Sequence, residues 1–212
     1  MSEAKFITFE GGEGGGKSTQ VKLLAQSFQN AGLNAVLTRE PGGAPGAEEI
    51  RNLLVSGAVD RWQPMSEVFM HYAARVEHVT RTISPALAQG KWVISDRFAD
   101  STMAYQGYGH NLNRDDLKRL YRLALGGFRP DLTLILDLPV DAGLMRAGAR
   151  GDQEDRYERM GADFHQRLRD GFLDIARAEP MRCQIVDATD SIDGVHAQII
   201  SRINSQFGLT LP

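Results

Sequence analysis

The sequence predicts an α/β fold, a parallel sheet of five strands with helices on both faces, and three observations predict it. Short β-branched or aromatic runs alternate with longer helical patterns along the whole chain, as a parallel sheet requires and segregated α and β layers do not. A glycine-rich turn over residues 11–16 separates the first such run from the first helical pattern. The length, 212 residues, suits one domain carrying at most a small lid.

Strands are expected at residues 5–10, 35–38, 92–95, 132–137 and 182–186. Helices are expected at 17–30, 47–56, 64–88, 114–125, 140–149, 161–178 and 192–206. Gly32 follows the first helix and Gly90 the third, where a chain leaving a helix often needs left-handed backbone. Asn113 precedes Arg114-Asp115-Asp116, an N-cap with acids in the first turn. Pro64 opens its helix where a missing N–H costs nothing. Five strands joined by such helices make one doubly wound domain over residues 1–212, with right-handed crossovers. Ligands of these sheets sit beyond the carboxyl ends of the strands, so the segments after Glu10, Thr38, Ser95 and Asp137 carry the chemistry.

Composition narrows the partners. Hydrophobic residues at 42% and charged residues at 24% exclude a disordered or fibrous chain. The net charge of −3 argues against a general nucleic-acid binder. No run approaches the roughly 18 apolar residues of a membrane span, and the first residues lack the pattern of a secretion signal. Cys183 is the one cysteine, which excludes a disulfide framework and a cysteine-based zinc site and suits a reducing cytoplasm. Of 24 basic residues five are lysines, so arginine, whose planar fork grips phosphate or carboxylate in pairs of bonds, carries most of the positive charge.

After the first strand stands Gly11-Gly12-Glu13-Gly14-Gly15-Gly16-Lys17-Ser18, the pattern of a phosphate-binding P-loop in its required place between strand and helix. Glycines let the backbone curl until several N–H groups point at one phosphate, and the helix that follows adds its positive end. Lys17 then reaches the β- and γ-phosphates, Ser18 offers a hydroxyl to magnesium, and Thr19 continues the ATP-binding turn. The reading is a nucleoside-triphosphate site. A GTPase needs an Asn-Lys-x-Asp reader, which is absent, and an adenylate kinase would carry Asp-Gly-Phe-Pro-Arg, also absent. A small kinase needs a donor site, an acceptor site and a mobile cover that excludes water.

Several segments are specific. Thr38-Arg39-Glu40-Pro41-Gly42-Gly43 follows the second strand, and Ser95-Asp96-Arg97-Phe98 ends the third. Ser101-Thr102-Met103-Ala104-Tyr105-Gln106-Gly107 lies beyond it, Phe69-Met70-His71-Tyr72-Ala73-Ala74-Arg75 is in the third helix, and Phe128-Arg129-Pro130-Asp131 leads into the fourth strand. From about Phe6 to Asp187 the chain thereby resembles the thymidylate kinases, P-loop kinases of the nucleoside-monophosphate type with a three-layer α/β/α fold and a short lid.

The resemblance implies transfer of the γ-phosphoryl of ATP to dTMP with Mg2+, by a homodimer. It implies that the pyrimidine stacks on Phe69, that Arg75 and Gln106 read the base edge with Thr102 and Ser101, and that Tyr105 packs under the sugar where a 2′-hydroxyl would stand. Arg97 resembles the ligand of the acceptor phosphate, with Arg39 and Arg51 as further cations. Glu13 falls near the reacting phosphates, Glu40 is suited to orienting an arginine or magnesium, and Asp96 is a candidate magnesium group behind Ser18. Residues 146–159 mix arginines and acids as a lid. The P-loop carries no arginine, so the resemblance implies a catalytic arginine in the lid, Arg150 first, with Arg156 and Arg146 behind it.

The acceptor phosphate is already largely ionised at neutral pH, so the reaction needs no general base and no histidine is expected to be essential. His71 and His78 read as ordinary helix residues. Two other readings remain: a deoxynucleoside kinase using a carboxylate base on a 5′-hydroxyl, and a non-catalytic nucleotide switch.

Overall fold

A computed structural model describes residues 3–149 and 156–212. Five parallel strands, β1 (Phe6–Glu10), β2 (Ala35–Arg39), β3 (Trp92–Asp96), β4 (Leu132–Asp137) and β5 (Cys183–Asp187), lie in the order β2-β3-β1-β4-β5. Phe9 pairs with both Asp96 and Leu134, and Arg39 with Asp96, so the carboxyl ends of the central strands finish nearly level. Ligands of such sheets bind beyond these carboxyl ends.

Adjacent strand residues point to opposite faces, and both faces are covered, so the central strands β1, β3 and β4 are mostly apolar. Ile7, Phe9, Ile94 and Leu134 pack with Leu24 and Phe28 of α1 (Lys17–Asn30) and Ile199 and Ile203 of α9 (Ile192–Phe207). On the other face Phe6 and Val93 meet Ile83 and Ala86, while Ile135 and Cys183 meet Phe164, Leu168 and Phe172 of α8 (Ala162–Ala178).

α2 (Pro45–Val55), α6 (Arg114–Leu125) and α7 (Val140–Gly148) complete the predicted helices. The Asn113 side chain caps α6, accepting from the N–H groups of Asp115 and Asp116. Gly32 and Gly90 both adopt φ +72.

Two elements differ from expectation. The single helix over 64–88 is α3 (Pro64–His78), a π-helical turn (Val79–Ile83) and α4 (Ser84–Ala88) in one continuous run. Residues beyond β3, for which no helix is expected, form α5 (Ala99–Thr102), which continues as a π-helix through Met103–Gly109. Two glycines depress helix propensity there, but tertiary packing decides the outcome. A Cβ on Gly109 would stand 2.5 Å from the Phe164 ring, so glycine is what lets this helix lie against α8.

Candidate active site

The phosphate loop runs from β1 into α1 and owes its shape to its glycines. Gly14 has φ +68 and Gly16 φ +81, and a Cβ on Gly14 would collide with the Gly143 carbonyl of α7. Lys17 Nζ donates to the carbonyls of Gly11 and Gly12 at 3.1 and 2.7 Å, folding back over the loop at the place a polyphosphate would occupy. Burial pulls the Lys17 ammonium down to about 8, Arg97 pushes the same way, and Glu13, Asp96 and Glu10 oppose them.

A cleft of about 480 Å³ opens beside this loop. Glu13, Gly14, Gly15, Gly16, Lys17, Ser18 and Thr19 form its donor end, while Gly11 and Gly12 stand behind, against β4. The acceptor end brings together Arg39, Glu40, Arg51, Arg75, Arg97, Ser101, Thr102, Tyr105 and Gln106 from four separate segments.

Arg97 joins the two ends. It takes φ +69 directly after β3, donates from Nη1 to the Gly11 carbonyl at 3.0 Å and from Nη2 to Glu13 Oε1 at 2.9 Å, and lies over the Tyr105 ring. The Tyr105 hydroxyl also donates to Glu13. Burial would raise the Glu13 carboxyl, but Arg97, Lys17 and that hydroxyl outweigh it and hold the group at about 2. Glu13 is thus an anion that organises the cations around it.

Arg75, 2% exposed, is fixed on three sides. Its Nε donates to Glu40 Oε2 at 2.7 Å, and its Nη2 to Thr102 Oγ1 at 3.0 Å and the Phe98 carbonyl at 3.2 Å. Glu40 Oε1 contacts His78 Nδ1 at 2.9 Å, and His78 Nε2 contacts Thr38 Oγ1 at 2.6 Å. Glu40 therefore orients an arginine, and Thr102 holds that arginine. Among the described residues, buried Arg75 Nη1 and Gln106 Oε1 have no hydrogen-bond partner, one a donor and the other an acceptor, and both residues line the cleft.

Ser18 Oγ donates to Asp96 Oδ2 at 2.5 Å. These are hard oxygens beside the phosphate loop and fit magnesium, which at nucleotide sites takes one or two protein oxygens and leaves its other positions to phosphate and water. Among the described residues no three His, Cys, Asp or Glu side chains gather into a cation cage.

Three expectations meet a different geometry. Phe69 is 58% exposed and does not line the cleft. It lies six residues before Arg75, about 120° around the helix at 100° per residue, whereas His71, four residues before, shares the face of Arg75 and lines the cleft. Arg156 is 0% exposed and donates to the carbonyls of Leu54, Ala58 and Val59 and to Glu67, so it is a structural clamp. Arg146 donates to the Ala188 carbonyl at 3.2 Å. Arg150 lies outside the described residues, as does Gly151.

Sequence reasoning missed Glu10. This fully buried carboxyl ends β1, accepts from Phe98 N at 2.7 Å, Ser101 N at 3.2 Å and Ser101 Oγ at 2.5 Å, and so pins the start of α5 under the acceptor end. Burial, reinforced by Asp100, pushes it up to about 7. A carboxylate closing an apolar strand beside the P-loop was the available signal. His71 carried one too, its i, i+4 spacing to Arg75.

A glycine cradle for a triphosphate facing an arginine-lined pocket across one crevice is the arrangement of a nucleoside-monophosphate kinase, a phosphotransferase of the P-loop class. The thymidylate kinase family model matches residues 9–199. A thymidylate kinase of Caulobacter vibrioides is 52% identical over 209 residues, 99% of this chain and 100% of that protein, and one of Geobacter sulfurreducens is 49% identical over 193 residues, 89% and 91% of the two chains. The crystal structure of thymidylate kinase from Ehrlichia chaffeensis superposes with a TM-score of 0.77 at 38% identity, covering 95% of this chain and 98% of that one. The chain belongs to the thymidylate kinase family.

Proposed function

We infer that the chain transfers the γ-phosphoryl of ATP to dTMP, giving dTDP and ADP on the route to dTTP. The observation that carries the choice of base is the buried pair Arg75 Nη1 and Gln106 Oε1. A donor beside an acceptor complements a ring carbonyl beside a ring N–H, the edge of thymine, and opposes cytosine, whose ring acceptor stands beside an amine. The alternative readings lack such support: Glu13 and Glu40, the carboxylates available as a base for a sugar hydroxyl, are each engaged by arginine.

Gly11 to Thr19 bind the ATP phosphates, with Lys17 on the transferring group. Ser18 and Asp96 hold magnesium, which when bound neutralises phosphate charge. Arg97, assisted by Arg39 and Arg51, holds the acceptor phosphate, and Glu13 keeps Arg97 in place. Ser101 supports Arg97 from 3.3 Å. Tyr105 packs under the sugar, and His71, with its imidazole pulled to about 3 by burial and by Arg75, Arg156 and Arg97, offers a neutral ring to the base. The transition state spreads charge over equatorial oxygens, so cations fixed in advance do most of the catalysis, and Arg150 of the lid segment supplies one.

The chain acts as a single domain in the cytoplasm and pairs as a homodimer. Exposed Phe69 and Val76 on α3 and Leu123 on α6 supply apolar surface for that contact. Among the described residues no helix is long and apolar enough to cross a membrane. The test is an acceptor panel of dTMP, dUMP, UMP, dCMP, AMP and thymidine with ATP and magnesium. dTMP is expected to be the best acceptor, and preferred turnover of thymidine would overturn the reading.

A further inference from the structure

Glu67 lies in α3, 1% exposed, one layer behind the cleft. Its Oε1 receives the Arg156 guanidinium, while its Oε2 accepts from the Tyr157 hydroxyl at 3.1 Å and from Gln106 Nε2 at 3.2 Å. We propose that Glu67 is a positioning residue for acceptor choice. It holds the Gln106 amide with its oxygen toward the cleft, so the site selects a base with a ring N–H beside a carbonyl over one with a ring acceptor beside an amine.

An amide side chain is nearly symmetric in shape, and its two orientations present opposite hydrogen-bonding faces. Nothing in Gln106 itself chooses between them. A carboxylate paired with a guanidinium can only accept, so the amide NH2 must face Glu67 and the oxygen must face the other way. Turning the amide over would set its oxygen against Glu67 Oε2 in a buried site and leave the amide oxygen without a donor there.

The carboxylate has little freedom to adapt. Arg156 is itself anchored on three backbone carbonyls. The Tyr157 hydroxyl gives its proton to Glu67 and meets His71 Nε2 at 3.2 Å on its other side. His71 is held neutral by burial and the arginines around it, and with the Tyr157 proton on Glu67 the two rings complement each other in the tautomer that carries the His71 proton on Nε2. A chain of fixed donors thus sets the polarity of the one group that meets the ring nitrogen. The inference rests on reading the cleft as the base pocket of the acceptor.

Glu67→Gln tests it in the full chain, with kcat and KM measured for dTMP and dCMP. The new amide keeps its oxygen on Arg156 and offers its NH2 to Gln106, which then turns over. The ratio of kcat/KM for dTMP to that for dCMP is expected to fall at least about 10-fold, mainly through KM for dTMP, because a site with its polar pair reversed loses its discrimination. Since the buried guanidinium loses its counter-charge, Glu67→Leu combined with Arg156→Met is measured as well; it removes the acceptor for the Gln106 NH2 without stranding a charge, and a fall in the same ratio is expected because Gln106 can then present either face. In a Gln106→Leu background, Glu67→Gln should leave the ratio unchanged. Equal losses on both acceptors, or a further fall in the Gln106→Leu background, would make Glu67 a merely structural residue and overturn the proposal. Failure of the unaltered protein to phosphorylate dTMP would instead refute the assignment of the acceptor.

Discussion

Arg97 Nη2 lies 2.9 Å from Glu13 Oε1, and this contact ties the end of the third strand to the phosphate loop. Both groups also act on Lys17, in opposite directions: Arg97 lowers its pKa and Glu13 raises it. One ion pair therefore acts on the Lys17 ammonium, whose pKa burial lowers most, and also fixes Arg97.

The first prediction concerns that lysine. Its protonated form is the active one, and its pKa in the unliganded protein is about 8, so kcat/KM for ATP should fall as pH rises through about 8. Glu13→Gln removes a carboxylate that favours the charged form, so the alkaline limb should move to lower pH. Lys17→Ala should lower turnover about 100-fold or more, as loss of a transition-state donor does. A limb that stays in place in Glu13→Gln would separate Glu13 from Lys17.

Arg150→Ala should lower kcat by about 100-fold while the affinity for dTMP barely moves, because a group that acts on the transferring phosphoryl contributes in the transition state. Steady-state kinetics with a parallel equilibrium titration of dTMP distinguishes the two effects. Weakened dTMP binding with intact turnover would place this arginine at the acceptor instead.

Arg156→Ala should act on stability. It strands the Glu67 carboxylate and three carbonyls in the interior, and breaking a buried ion pair from one side costs about 3–5 kcal/mol. Urea unfolding followed by circular dichroism measures it. Wild-type stability with lost turnover would return Arg156 to the catalytic role that its place in the lid segment suggests.

Glu10 makes stability depend on pH. Its folded pKa, about 7, is above the ordinary 4.5, so its contribution is fully present below pH 4.5 and is lost as pH rises through 7. At 1.36 kcal/mol per unit the loss is on the order of 3 kcal/mol. Glu10→Gln can keep the bonds to Phe98 and Ser101 without a buried charge, so it should gain on the wild type in thermal unfolding as pH is raised from 5 to 8. A Tm difference that is flat over that range would contradict the argument.

Much of this architecture was legible from residue types. The alternation of apolar runs and helical patterns located all five strands to within a residue, since strands covered on both faces are mostly apolar. The Gly14 and Gly16 turns and the Asn113 cap depend on backbone preferences that act over a few residues. The motif Thr38–Gly43 and the residues after β3 pointed to the cleft that they line because strand ends gather ligands in this fold.

Other outcomes were illegible for a definite reason. Whether Phe69 or His71 lines the cleft depends on how one helix is rotated against its neighbours, and an aromatic residue alone does not report that phase. Segment 99–109 is helical because Gly109 lets it press against Phe164, 55 positions further along the chain. Arg156 and Glu67 each look like surface charges until the chain buries them together. Phosphate-loop chemistry is local and is written in consecutive residues; polarity of the base reader and the charge states around it arise from burial and from partners distant along the chain, which only the packed protein brings into contact.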